Sequence, residues 1–111
     1  MKLVAMYNLK KSTNFDEFKK WSKEVDQKMV SKQPGYRRFD VLEARAILDG
    51  SKPPYKQSET NLPFKVIEFI EVESQQALEK SQTSPAMSGV MKKWLDFVDE
   101  SSVIILKVEE I

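Results

Sequence analysis

Cysteine and histidine are both missing from the chain, and together their absence removes whole reaction classes. There is no disulfide, no thiol nucleophile, no Ser-His relay, no Cys/His zinc site and no histidine haem ligand. An acid or base would have to be Asp, Glu, Lys, Tyr or a water assisted by Arg, and a metal would have to be a hard cation held by oxygens. No acidic loop of that kind stands out, so neither a metal nor a cofactor is expected. An excess of one charge is lacking too. With 18 Lys and Arg against 17 Asp and Glu the net charge is +1, and no overall field draws the chain to nucleic acid or to an anionic membrane. No apolar run approaches membrane-spanning length, and the stretch from Met1 to Lys11 is too short and too soon interrupted for a signal peptide. A cytoplasmic protein with no nucleic-acid or membrane partner is expected.

What is present fits a single domain over residues 1–111, long enough for one core and too short for two. Its organising stretch is Phe64 to Val72, rich in β-branched and aromatic residues and bounded by Pro63 and Ser74, which reads as a central strand. Alternation puts Phe64, Val66, Glu68, Ile70 and Val72 on one face and Lys65, Ile67, Phe69 and Glu71 on the other. Both faces are apolar at mid-strand, so each needs a cover. Glu68 is the one carboxylate in the most apolar row.

The other elements follow in order. Lys2 to Leu9 reads as the first strand. Ser12-Thr13-Asn14 supplies an N-cap, and a helix from Phe15 to about Ser31 would bury Phe15, Phe18, Trp21, Val25 and Met29 at three-and-four spacing. Asp26 borders that stripe and is expected in water. Gln33-Pro34-Gly35 stops the helix. Tyr36 to about Leu48 reads as a second, more polar strand, with Phe39, Val41 and Ile47 on one face and Tyr36, Arg38, Asp40 and Leu42 on the other. A polar loop from Asp49 to Pro63 is long for a plain connector, which suggests a lid with Tyr55 as its large aromatic. Ser74 caps a short helix through Gln82. Ser84-Pro85 starts another, burying Met87, Val90, Met91, Trp94, Leu95 and Val98. Val103 to about Val108 is the last strand.

The order β-α-β-β-α-β specifies an α+β, ferredoxin-like plait, a four-stranded antiparallel sheet with its helices on one face. The helix-free face would leave a large apolar patch on a monomer, and a second copy stacked sheet to sheet is the simplest cover. A homodimer is expected.

The first strand followed by a Phe/Trp-bearing helix, Gln33-Pro34-Gly35, Pro54-Tyr55, Val66 to Val72 and Ser84-Pro85-Ala86-Met87 together resemble the REDY-like (HapK) family of the dimeric α+β barrel superfamily. The resemblance spans most of the chain. It implies a dimeric α+β barrel and a biosynthetic-pathway protein, either a cofactor-independent cyclase, condensation or monooxygenase-type enzyme or a non-catalytic barrel. The partner it implies is a hydrophobic aromatic or polyketide-like small molecule. Many superfamily members carry His-Pro-x-His at the second helix. Here those positions are Ser84, Pro85, Ala86 and Met87, so a histidine mechanism does not carry over.

The candidate catalytic residues are Glu68, Tyr7 and Arg38. Glu68 would act as acid or base with its pKa raised by burial, or would form a structural pair with Arg38 or a contact across the dimer. Tyr7 would orient or protonate an enolate, or make a structural hydrogen bond. The candidate ligand-binding residues are Trp21, Tyr55 and Trp94. The two tryptophans also fit core positions, and Tyr55 also fits an ordinary surface site. A closed pocket of at least ~300 Å³ lined by Glu68 would favour ligand handling, and filled space a structural role.

Overall fold

Alternating side chains in Lys2–Tyr7 (β1) drive Ala5 and Tyr7 into the interior, while Lys2 lies at the surface. The computed structural model describes residues 1–50 and 52–111 of the chain. β1 sits inside a four-stranded antiparallel sheet in the order β2-β5-β1-β6, where β2 is Tyr36–Glu43, β5 is Val66–Val72 and β6 is Ile104–Val108. This is the ferredoxin-like plait expected from the order of elements. Cross-strand register puts Ala5 opposite Glu68, Leu3 opposite Ile70 and Tyr7 opposite Val66. Val41 of β2 flanks Glu68 from the other side.

Asn14 caps the first helix by accepting a hydrogen bond from the Glu17 backbone N–H, with Asp16 and Glu17 in the turn where the helix dipole favours negative charge. The helix is not regular. It runs as α1 (Phe15–Trp21), a π-helical turn over Ser22–Asp26 and α2 (Gln27–Ser31), and the Gln27 N–H bonds back to the Ser22 carbonyl. In a regular α-helix each four-residue step overshoots a full turn by about 40°. A wider π turn reverses that drift. Phe18, Ser22, Asp26 and Val30 consequently stay on the buried face. The expected stripe through Val25 is corrected: Val25 is 41% exposed.

Gly35 (φ +85°) turns the chain into β2, and a Cβ there would stand 2.7 Å from the Ala77 Cβ. A register shift between Tyr36 and Arg38 follows. The extra residue puts Tyr36 on the helix-covered face with Phe39, rather than on the Arg38 face that simple alternation assigned it.

The expected single strand to Leu48 ends at Glu43, and residues beyond it build a separate hairpin of β3 (Ile47–Asp49) and β4 (Lys56–Ser58). The segment expected to be a structureless loop is therefore partly this hairpin. Ser51, which the lid expectation included, lies outside the described residues.

Ser74 caps α3 (Gln75–Gln82), accepting from the Ala77 N–H, and Ser84 caps α4 (Pro85–Phe97), accepting from the Met87 N–H, with Pro85 in the first turn. The α4 stripe is confirmed at Met87 and Val90 and just beyond the helix at Val98, whereas Met91 and Leu95 are exposed and Phe97 is buried in their place. The core has two centres. One gathers Tyr7, Phe18, Val66, Phe97 and Val98; the other gathers Val30, Met87 and Val90.

Candidate active site

Against the second of these centres the helices stand off the sheet and leave a cavity of about 270 Å³, lined by its Val30, Met87 and Val90. Its floor is the helix-covered row of the sheet, including Glu68 and Ile70, and its roof is α4 through Met87, Val90 and Trp94. Asp26, delivered by the π turn, closes one side. Ile105 of edge strand β6 lines it as well and is 60% exposed, so the cavity opens at the sheet edge. The volume falls slightly short of the ~300 Å³ benchmark for a ligand site, and the space is neither filled nor fully closed.

Glu68 reaches this floor because β5 is central and its mid-strand residues of one parity face the helices. The small Ala5 beside it leaves room for the longer side chain. Tyr7, two residues along β1, donates its phenolic O–H to Glu68 Oε2. The Tyr7 ring is fully buried, with Trp94 edge-on at 5.1 Å and Phe18 edge-on at 6.4 Å. The phenol cannot swing away without breaking that aromatic packing.

Glu68 is 7% exposed and Asp26 only 3%. Burial pushes the Glu68 carboxyl up to about 7, with the Tyr7 hydrogen bond pulling partly the other way. Burial also pushes Asp26 up to about 7, and the Glu68 charge adds to the effect. Tyr7 is raised as well, by burial first and by the neighbouring Glu68 charge second, which keeps it a phenol and a donor. Asp26 Oδ2 is buried and has no hydrogen-bond partner among the described residues. Two carboxyls near neutrality facing one apolar cavity can give and take a proton at ordinary pH.

Of the candidates from the sequence, the structure brings Glu68, Tyr7 and Trp94 together. The other three lie elsewhere. Arg38 is on the opposite face of the sheet, hydrogen-bonded through Nε to Asp40 Oδ2 and standing 5.3 Å over the Phe69 ring. It pairs across strands with Glu71 rather than Glu68, so the Glu68–Arg38 pair does not form. Trp21 packs in the core against Phe18 and Phe97 at 6.2 and 5.4 Å and does not line the cavity. Tyr55, 52% exposed, lies between β3 and β4 and does not line it either. Asp26, expected in water, is the site residue that helical periodicity missed. Ser22 and Asp26 form a polar pair at four-residue spacing, and only the π turn shows that this spacing faces inward.

Among the described residues no three Asp or Glu side chains gather in a way that could hold a metal ion, and no helix is long and apolar enough to cross a membrane. The comparisons with known proteins agree with the fold. A family model described as REDY-like protein HapK matches residues 1–110. The chain belongs to the REDY-like HapK family. Among curated proteins nothing matches it. The crystal structure of HapK from Hahella chejuensis is similar with a TM-score of 0.71 at 18% identity, covering 98% of this chain and 93% of that one. A dabb family protein with a ferredoxin-like fold from Mesorhizobium loti gives 0.66 at 15% identity, covering 99% and 95%. A dimeric ferredoxin-like protein of unknown function from Thermobifida fusca gives 0.65 at 8% identity, covering 95% and 85%. At these identities the solved structures speak for the fold of the REDY-like chain alone.

Proposed function

We propose that this REDY-like protein is a small biosynthetic enzyme that binds a hydrophobic, aromatic or polyketide-like molecule in the cavity under α4 and moves protons on it with Glu68. The observation that carries this reading is a mid-sheet carboxylate, held by a buried phenol, at the floor of an otherwise apolar cavity. A carboxyl titrating near 7 is present in both forms at neutral pH, which suits a group that must accept a proton in one step and return it in the next. Tyr7 holds one carboxylate oxygen and leaves the other for the ligand. Cyclisation, condensation and cofactor-independent oxygenation all start from such a proton abstraction beside a carbonyl or phenol. The helix-free face of the sheet, with Val4, Met6, Ile67, Phe69 and Leu106 incompletely buried, would pair with a second copy. Similar ferredoxin-like proteins described as dimeric support that part of the reading.

Glu68→Gln tests the assignment, because it keeps the size and the Tyr7 hydrogen bond while removing the transferable proton. In the cell that makes the protein, the metabolite lost on deleting the gene should fall by about 100-fold or more in the variant, with protein abundance unchanged. Undiminished product would end the catalytic assignment. If the purified protein bound that metabolite without converting it, the non-catalytic barrel would be the reading that remains.

A further inference from the structure

Among the described residues the Glu68 carboxylate has a hydrogen-bond partner, whereas Asp26 Oδ2 has none. Its Oδ2 is buried without a donor, the side chain is 3% exposed, and it lines the same cavity as Glu68. A buried acceptor left unpaired is destabilising, the more so when it is charged, so native interiors retain few of them. This one is also placed by an irregularity, since the π turn over Ser22–Asp26 is what keeps Asp26 on the inward face.

Resting on the cavity reading above, we infer that Asp26 is a ligand-binding residue, whose free carboxylate oxygen accepts a hydrogen bond from an N–H or O–H group on an otherwise apolar small molecule. The lining narrows the class further. Among the described residues no Lys or Arg lines the cavity, and its two carboxyl groups, Asp26 and Glu68, carry negative charge when ionised, so carboxylate and phosphate ligands meet no counter-charge and are repelled. Asp26 Oδ2 is the wall acceptor that no donor engages among the described residues, while Gln82, also on the wall, is exposed and Glu68 keeps its other oxygen open for proton transfer. The Tyr36 hydroxyl is engaged with Ser81 Oγ at 2.8 Å, and Glu68 Oε2 is taken by Tyr7. The ligand is therefore uncharged or cationic and carries a donor on an apolar ring system, small enough for about 270 Å³. Asp26 sets which molecules enter, and Glu68 acts on them.

Indole and 1-methylindole have nearly the same shape and differ in the one N–H. Calorimetric titration of the full chain with each, at about pH 8 where both carboxyls are largely ionised, should show indole at least about tenfold tighter. In Asp26→Leu the preference should shrink to within about twofold while thermal stability holds or rises, because a buried unpaired carboxylate is replaced by a hydrophobe of similar size. Asp26→Asn, which keeps shape and removes charge, should fall between the two. Equal binding of the two probes to the wild type, or a preference that survives in Asp26→Leu and Asp26→Asn, overturns the role of Asp26 and leaves the cavity reading standing. Failure of both probes to bind overturns the cavity reading as well. A loss of stability in both variants with no change in preference would mark Asp26 as structural.

Discussion

The two faces of the sheet are made from the same strands and differ in what they bury. On the helix-covered face Tyr7, Glu68 and Val66 are sealed, and an acid sits in an apolar row. On the opposite face Arg38 and Asp40 are paired in water on edge strand β2 next to the exposed Leu42, and Ile104 and Leu106 are exposed on the other edge strand, β6. Glu68 and Glu71 are three residues apart on β5, yet opposite parity gives one a cavity and the other the solvent side beside Arg38. An ionisable group is thus buried with a raised pKa on one face and a solvated, paired group on the other. Each face is incomplete by itself. The covered face keeps a void with a partnerless carboxylate, and the bare face keeps apolar surface of the kind that marks an interaction site.

Three perturbations would break or sharpen this contrast. The largest effect belongs to the bare face. Phe69→Glu buries no charge within the protomer but would place one at the centre of the proposed pairing, and sedimentation should show dimer dissociation strengthened by about 100-fold or more. Unchanged association would show that the bare face is not the interface.

The covered face should reveal itself through pH. Both carboxyls sit near 4 in the unfolded chain and are pushed up to about 7 in the folded one. Below about pH 4 both acids are protonated in the folded and unfolded chain alike, and they cost the fold nothing. As pH rises from about 4 to about 7 the unfolded chain releases these protons first, so stability falls by a few kcal/mol and then levels off. Urea titrations across that range should show the decline in the wild type and a shallower one in Glu68→Gln and in Asp26→Leu. A wild-type curve rising over the same window would refute the burial of both acids.

The smallest effect sharpens the contrast from the other side. Arg38→Gln removes a solvent-screened pair with Asp40 and should change unfolding free energy by less than about 1 kcal/mol, with no effect on ligand binding. Altered binding would mean that Arg38 communicates with the cavity after all.

Much of the framework was legible because it depends on short-range rules. The serine caps of α3 and α4, the Pro85 start, the Asn14 cap and the two-faced apolar character of β5 are local signals, and each appears where the pattern placed it. The resemblance in Val66 to Val72 and Ser84 to Met87 also held, since the family model covers nearly the whole chain. The site was only half legible. Glu68 and Tyr7 were both candidates, but whether they meet depends on a cross-strand register that alternation within each strand does not supply, and Trp94 lay on the helical stripe. Arg38 was misplaced with them because the irregularity between Tyr36 and Arg38 changes which β2 residues face the helices. Asp26 was missed because periodicity assumes 3.6 residues per turn, and the Ser22–Asp26 turn is wider.

Residue order and periodicity alone determined the sequence of strands and helices, the plait they form, the exclusion of thiol and imidazole chemistry, and the presence of one acid in the central apolar row. Tertiary structure decided which face that acid occupies, that Tyr7 rather than Arg38 partners it, and that Asp26 joins it without a partner of its own. The physical reason is that a one-residue irregularity in a helix or a strand is nearly neutral in local energy but rotates every following side chain, so its position is settled by what the packed neighbours can bury.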